Sequence, residues 1–414
     1  METHDTVIIG AGQAGLALSH RLSAEGLEHV LLERGRLAER WRTERWDSLR
    51  MLTPNWMTRL PGRMEPVVDP DGFMSKDQLV EMLETYASSF GAPVREQTEV
   101  TNVRRTIPGF DVTTSRGRLQ ARNVVLATGQ CGRPTVPPFA TQLDPGLRQL
   151  HAARYRNPET VPDGGVLVVG SGASGLQIAA ELRVAGRDVV LATGRHARAV
   201  RSYRSRDLWW WLEQIGSLDQ TVDEVSDIEV ARTTPSLGLT GSAGGRDIDL
   251  ASLERMGVRV AGRVLGAHGR VFDFGDNLAA DVVSADERLW RLLDRFDGWA
   301  GAQGLDDELG PPTRPDPVRI ARPLIGSVDL GESGIGTVIW ATGYRQSYPY
   351  LDIPVLDERG EILHRRGVTN VPGMYVLGLR FLWRRGSHFV DGVGRDAEYL
   401  ADLIKERAAS PAVA

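Results

Sequence analysis

Cysteine is all but missing: Cys131 is the only one in 414 residues. A disulfide framework, a CxxC redox pair and a cysteine-rich metal site are therefore excluded within one chain, and no metal is expected. Long apolar runs are missing too; none approaches the ~18 residues that a membrane-spanning helix needs. An excess of one charge is missing: 49 Lys and Arg stand against 54 Asp and Glu, a net −5. That balance gives no reason to expect a nucleic acid partner. The first predicted strand is reached by Thr6, which leaves no room for a signal peptide and points to the cytoplasm. What remains is an ordinary globular composition, 41% hydrophobic and 25% charged, in a chain long enough for about two or three domains.

Into that background the sequence sets Gly10-Ala11-Gly12-Gln13-Ala14-Gly15. The apolar, β-branched run Thr6-Val7-Ile8-Ile9 precedes it, and Leu16 to Leu22 follows with helical periodicity. A glycine-rich turn thus joins a buried strand to a helix. Gly10 permits the tight turn, Gly12 leaves room for a pyrophosphate, and Gly15 lets helix and strand pack closely. The helix N-terminus offers N–H groups to phosphate. The next strand, His29-Val30-Leu31-Leu32, ends in Glu33, at about the ~20-residue distance expected of an acid that binds a ribose hydroxyl.

The pattern then recurs. Leu167 to Leu176 aligns without gaps on Val7 to Leu16, so Gly170, Gly172 and Gly175 match Gly10, Gly12 and Gly15. Val189-Val190-Leu191 falls on His29 to Leu31. One structural unit is used twice. At the position of Glu33 the second copy has Thr193, followed by Arg195, His196, Arg198, Arg201, Arg204 and Arg206. A carboxylate there would repel a 2′-phosphate, whereas arginine binds one bidentately. The first site therefore suits FAD or NAD and the second NADP(H), unless the basic stretch is only a solvated loop.

The rest of the chain supports an α/β protein. Ser75 and Gln78 form a capping box ahead of a helix with Leu79, Met82, Leu83 and Tyr86 on one face. Residues 94–112 read as short strands, and Asn123 to Gly129 as a buried strand ending in Ala-Thr-Gly. A second such ending, Ala341-Thr342-Gly343, closes the strand that starts at Thr337. Residues 235–245 read as a loop, and a helix capped by Ser284 and Glu287 is expected through Trp299. The five prolines of residues 310–323 mark an irregular connection. The final helix, through Ala397, Leu400, Leu403 and Ile404, presents an N-terminus suited to electron-rich ligand atoms. Trp209-Trp210-Trp211 cannot all share one helix face. At least one is expected to line an interdomain cleft over a partly apolar ligand; the alternative is packing within the domain, or against a second subunit in a homodimer.

Together these residues resemble the flavin-containing monooxygenase-like family, and within it the bacterial CzcO-like or YUCCA-like FAD/NADPH flavoproteins. Trp46-Asp47-Ser48-Leu49-Arg50 with Thr53-Pro54, the linker His151 to Pro158, and Gly392 to Ala397 add to the likeness. It implies two Rossmann-like dinucleotide-binding domains, the NADPH domain inserted in the FAD domain. The FAD domain would span residues 1–155 and 337–414, and the NADPH domain residues 160–330 with a variable segment at 208–323. The two parts of the FAD domain would meet through the Ala-Thr-Gly turns. FAD would be held by Gly10, Gly12, Gln13, Ala14, Gly15, Glu33, Arg34, Arg40, Trp41, Thr53, Val100, Ala127, Thr128, Gly129, Thr342, Gly343 and Asp391. NADPH would be held by Gly170, Gly172, Ser174, Gly175, Arg195, His196 and Arg201. Reduced FAD would capture O₂ as a C4a-hydroperoxide and pass one oxygen atom to a small, partly apolar organic substrate. Asn55 would hydrogen-bond near the flavin C4a edge, its plainer role being to cap the turn after Pro54. Three other readings remain. A disulfide reductase needs two cysteines. An NADPH oxidase or flavoprotein dehydrogenase would insert no oxygen. A redox sensor would hold both nucleotides without turnover.

Overall fold

The structure is a computed structural model that describes residues 2–241 and 247–409. The expected loop at 235–245 thus falls partly outside the described residues. Strand β1 (Glu2–Ile9), helix α1 (Gln13–Ala24) and strand β2 (His29–Leu32) form the first unit as the sequence leads one to expect, β1 starting four residues earlier than Thr6. Helix α2 (Lys76–Ser89) opens with the reciprocal capping box: Gln78 N–H donates to Ser75 Oγ at 3.2 Å and Ser75 N–H to Gln78 Oε1 at 2.9 Å. Its Leu79, Leu83 and Tyr86 join Leu16, Leu18 and Leu22 of α1 in one apolar core. β3 (Gly117–Leu126) lies parallel to β1 with Val7 opposite Val124, while β2 flanks β1 on the other side. The hairpin Val100–Arg105 and Phe110–Thr114 extends this sheet through antiparallel pairing to β3.

The chain then crosses to a second sheet. β4 (Arg148–His151), β5 (Gly165–Val169), helix α3 (Ala173–Val184) and β6 (Val189–Ala192) begin it. Helix α4 (Leu208–Gln214) carries the three tryptophans. β7 (Arg259–Ala261), helix α5 (Leu278–Gln303) and β8 (Ile335–Trp340) complete it. The strand order is β7–β6–β5–β8–β4, every pair parallel. β5, β6 and β8 read as continuous apolar runs because helices or loops cover both faces. The chain returns to the first sheet with β9 (Met374–Val376), parallel to β3, and ends in helix α6 (Val393–Ala409), which packs Ala397, Leu400 and Ile404 against the core of α1.

The strand pairing corrects the sequence-based domain limits. β4 and β8 belong to the second sheet, where Val338 lies opposite Leu167 and Ile339 opposite Val168. The Ala-Thr-Gly turns therefore do not join two parts of the first unit. Each closes over the first glycine of its own unit. A Cβ on Gly10 would lie 2.7 Å from Ala127 O, and one on Gly170 2.5 Å from Ala341 O. The two crossings between the sheets pair with each other, Arg133–Pro134 against Tyr344–Arg345. The helix expected from Ser284 starts six residues earlier, at Leu278, and Ser284 Oγ accepts from Arg288 instead of capping. Among the described residues no helix is long and apolar enough to cross a membrane.

Candidate active site

Both glycine-rich turns open into one cleft of about 1430 Å³, larger than the ~300–1,000 Å³ typical of a single small-molecule pocket. At the first turn Gly10 has φ +109°, and a Cβ on Gly15 would lie 2.0 Å from Gly10 O. Gly12 has nothing within 4 Å of a would-be Cβ, so its backbone faces open space at the N-terminus of α1. Glu33 steadies the turn: Oε2 accepts from Ala11 N–H at 3.0 Å and Oε1 from Gly35 N–H at 3.1 Å. A carboxylate has about four lone-pair sites, so two remain for hydroxyls in the cleft.

The second turn repeats the backbone and changes the side chains. Gly170 also has φ +109°, and a Cβ on Gly175 would lie 1.7 Å from Gly170 O. Gly172 lies under a loop, with Ser236 Oγ 3.2 Å from its would-be Cβ. Thr193 is fully buried, its hydroxyl without a hydrogen-bond partner among the described residues. Arg195 is exposed and carries no ion pair among the described residues. The Arg263 guanidinium lies against Gly194, Nε 3.1 Å from that residue's would-be Cβ. It arrives from the turn after β7, seventy residues along, and no sequence motif marks it.

The expected site residues divide into three groups. Gly12, Gln13, Ala14, Glu33, Arg34, Arg40, Trp41, Thr53, Val100, Ala127, Thr128, Gly129, Ser174 and Gly343 line the cleft, as do Gly10 and Gly172. Gly15, Gly170 and Gly175 sit behind the lining, as packing glycines do. The third group does not line the cleft: Arg195 is exposed outside the lining, and the others are held by partners in the chain. Arg201 is buried and donates to Leu52 O at 3.0 Å, Thr240 O at 2.9 Å and Asp207 at 3.2 Å, so it ties three chain segments together. His196 is buried with Nδ1 turned to Gly194 O at 3.1 Å, and burial lowers its pKa. Thr342 Oγ donates to Thr135 O in the crossing. Asp391 accepts two bonds from Arg59, at 2.6 and 2.7 Å, and Arg59 also reaches Glu213 on α4. Asn55 does not line the cleft: its Oδ1 accepts from Met74 N–H at 2.8 Å and its Nδ2 donates to Asp69 O at 2.9 Å. These bonds tie Asn55 to the loop that follows it.

The other motifs hold the units together. Trp46 and Leu49 are buried in the second unit's core beside Tyr155 and Leu176. Ser48 and Tyr155 both donate to Glu181 of α3, the tyrosine at 2.6 Å. His151 accepts from Ala153 N–H through Nδ1 at 3.1 Å and bonds Gly343 O through Nε2 at 3.0 Å. Burial lowers its pKa, so it serves as a neutral strut. The tryptophans split by role. Trp211 is fully buried, stacked on Phe296 with centroids 5.1 Å apart. Trp210 meets Trp299 edge-on. Trp209 lines the cleft, edge-on to Phe389 at 5.2 Å, its Nε1 donating to Leu52 O at 2.8 Å.

Residues 7–234 match the family described as pyridine nucleotide-disulphide oxidoreductase. Over the whole chain the sequence is similar to an uncharacterized CzcO-like oxidoreductase of Geobacillus kaustophilus, 33% identical across 97% of this chain and 98% of that one. It is 28% identical to the indole-3-pyruvate monooxygenase YUCCA1 of rice, across 90% and 86%. The fold is similar to that of a flavin-containing monooxygenase from Stenotrophomonas maltophilia, with TM-score 0.69 at 19% identity over 99% of this chain and 100% of that one.

Proposed function

This chain belongs to the pyridine nucleotide-disulphide oxidoreductase family, and on that premise we propose that it is an FAD-dependent, NADPH-consuming monooxygenase acting on a small, partly apolar organic molecule. The observation that carries the reading is the single cleft into which two glycine-rich turns open, one with a carboxylate at its strand end and one with Arg195 and Arg263 beside its strand end, neither in an ion pair among the described residues. Residues 2–126 and 344–409 would hold FAD, and residues 148–340 NADPH. The cradle fits the first group. Gly12 leaves space for a pyrophosphate, and the first N–H groups of α1 have no partner within the helix. Glu33 would accept from the adenosine ribose. Arg195 would bind the 2′-phosphate, with Arg263 in the place expected of Arg201.

The chemistry that FAD would supply is acceptance of a hydride from NADPH and activation of O₂, with one oxygen atom destined for the substrate and the other for water. The chain's part is binding, orientation and exclusion of solvent. Trp209 and Phe389 form an apolar wall, and the loop at Ser236 covers the second turn. The lone Cys131 cannot supply the dithiol that disulfide reduction needs. Purified protein should be yellow and should bleach with NADPH far faster than with NADH under nitrogen. In ¹⁸O₂ the product should carry one labelled oxygen per NADPH consumed. Stoichiometric hydrogen peroxide without labelled product would establish an oxidase, and absence of any turnover a nucleotide-holding sensor.

A further inference from the structure

The carboxylates lining the cleft are Glu33, Glu39, Glu44 and Glu99, all before residue 100, where Arg34, Arg40, Arg45 and Arg50 line it too. Beyond residue 197 the charged lining is arginine alone among the described residues: Arg198, Arg288, Arg291, Arg295, Arg380 and Arg385. Three of these are accounted for. Arg198 is paired with Asp249 at 3.0 Å and Asp286 at 2.7 Å. Arg288 donates to Ser284 Oγ and, at 2.8 Å, to His196 O. Arg291 faces Glu287 at 3.9 Å.

Arg295, Arg380 and Arg385 have no ion pair among the described residues. Arg380 donates to Thr234 O and Arg385 to Gln220 Oε1, both at 2.6 Å and both neutral acceptors. Arg385 Nε is buried and has no acceptor, and the same is true of Nδ1 on the neighbouring His388. Arg385 lies between the other two in effect, near enough to interact with both Arg295 and Arg380. Burial and then Arg295 lower the pKa of Arg385, and burial and then Arg385 lower that of Arg380. Burial, with Arg380 behind it, holds His388 down at about 3, so the imidazole is neutral. Arg380 and Arg385 are half-buried; cations drawn partly out of water without a counter-ion are costly, and the cleft lining beyond residue 197 supplies none among the described residues. The walls beside them are apolar: Trp209, Leu289, Leu292 and Phe389.

We propose that the substrate is an organic anion, a carboxylate on an apolar body, whose charge is received by Arg295, Arg380 and Arg385. The proposal rests on the reading of this cleft as the oxygenation site. A guanidinium fork matches a carboxylate in two parallel hydrogen bonds. Arg295 stands two helical turns beyond Arg288, about 10 Å along α5. Arg288 is at the His196 end, beside the strand end that Arg195 and Arg263 serve. The arginines that receive the substrate are thus separate from those assigned to the nucleotide.

The test is binding to the oxidised holoenzyme, read by the change in flavin absorbance. The probes are 3-phenylpropionate and its uncharged isostere 3-phenylpropionamide. The acid should bind at least about tenfold tighter than the amide, the gap narrowing as salt is raised. Arg295→Gln and Arg385→Gln should each close most of that gap, and Arg295→Lys should restore part of it. Amide affinity, FAD content and the rate of reduction by NADPH should not move. Arg295 is exposed on α5, so its variants test the idea even if Arg385→Gln misfolds. Equal binding of acid and amide, no binding of either probe, or a gap unmoved by the arginine variants would overturn the proposal. So would loss of the NADPH preference in Arg295→Gln, which would assign that arginine to the nucleotide. A cleft that holds the acid but yields no labelled product would instead refute only the monooxygenase reading.

Discussion

The two glycine-rich turns share a backbone and differ in what surrounds it. Gly10 and Gly170 have the same φ of +109°, and each lies beneath the carbonyl of its own Ala-Thr-Gly turn. Yet one turn is steadied by the Glu33 carboxylate and the other stands before a buried, neutral Thr193. Gly12 is open where Gly172 is covered by Ser236. Ser19 and His29, hydrogen-bonded at 2.8 Å inside the first unit, correspond to Ala179 and Val189 in the second. The shared part is what close approach to a pyrophosphate requires of any chain. The divergent part, one side chain at a strand end and the loop above, is where the choice between two nucleotides lies.

Substitutions that treat the two turns alike, or exchange their features, test this division. The largest effect belongs to the packing glycines. Gly15→Ala and Gly175→Ala each drive a Cβ into a backbone carbonyl and should cost about 3 kcal/mol or more in thermal unfolding. Gly12→Ala should leave apoprotein stability within about 0.5 kcal/mol, while FAD retention on a desalting column drops sharply. Next comes Glu33→Thr, which copies the second unit. It leaves two backbone N–H groups short of an acceptor and should cost about 1–3 kcal/mol, seen as weaker FAD binding in titrations of the apoprotein. Smaller again, Arg195→Ala and Arg263→Ala should each cut the NADPH-over-NADH ratio of kcat/KM about tenfold, or ~1.4 kcal/mol. Arg201→Ala should lower the melting temperature without touching that ratio in the folded enzyme. The smallest effect is in pH. Burial lowers the pKa of His29, with Glu28 opposing and His4 adding to the shift. The folded chain therefore binds fewer protons than the unfolded one below about 6.5, and stability falls as pH drops through that window. The Ser19→Ala, His29→Val protein, copying Ala179 and Val189, should lose less stability than wild type between pH 7 and 5 in urea titrations.

Legibility in the sequence followed the reach of the interactions. Both turns, their helices, the Ser75 capping box and the final helix depend on residues within a few positions of one another, so spacing alone revealed them. Arg201 looked like a phosphate ligand because it sits in a basic run, but that run folds inward onto Leu52, Thr240 and Asp207. Asn55 looked catalytic by analogy, and its partners Asp69 and Met74 lie on a loop whose path no pattern announces. Residues 46–50 stood out only as a mark of family likeness; the structure shows that Trp46 and Leu49 dock one unit on the other.

The sequence by itself determined that this chain carries two copies of a strand–turn–helix unit, and that a carboxylate ends the second strand of one copy only. It did so because backbone geometry near a phosphate admits few residues, and glycine spacing records that constraint locally. The tertiary structure decided which sheet β4 and β8 join, that Trp209 and not Trp211 faces the cleft, and that Arg263 reaches Gly194. It alone brought Arg295, from α5, into one cleft with Arg380 and Arg385, some ninety residues along the chain. These are long-range arrangements, set by the packing of whole sheets and helices, and charge neutralisation between residues far apart in the chain leaves no periodic trace in its order.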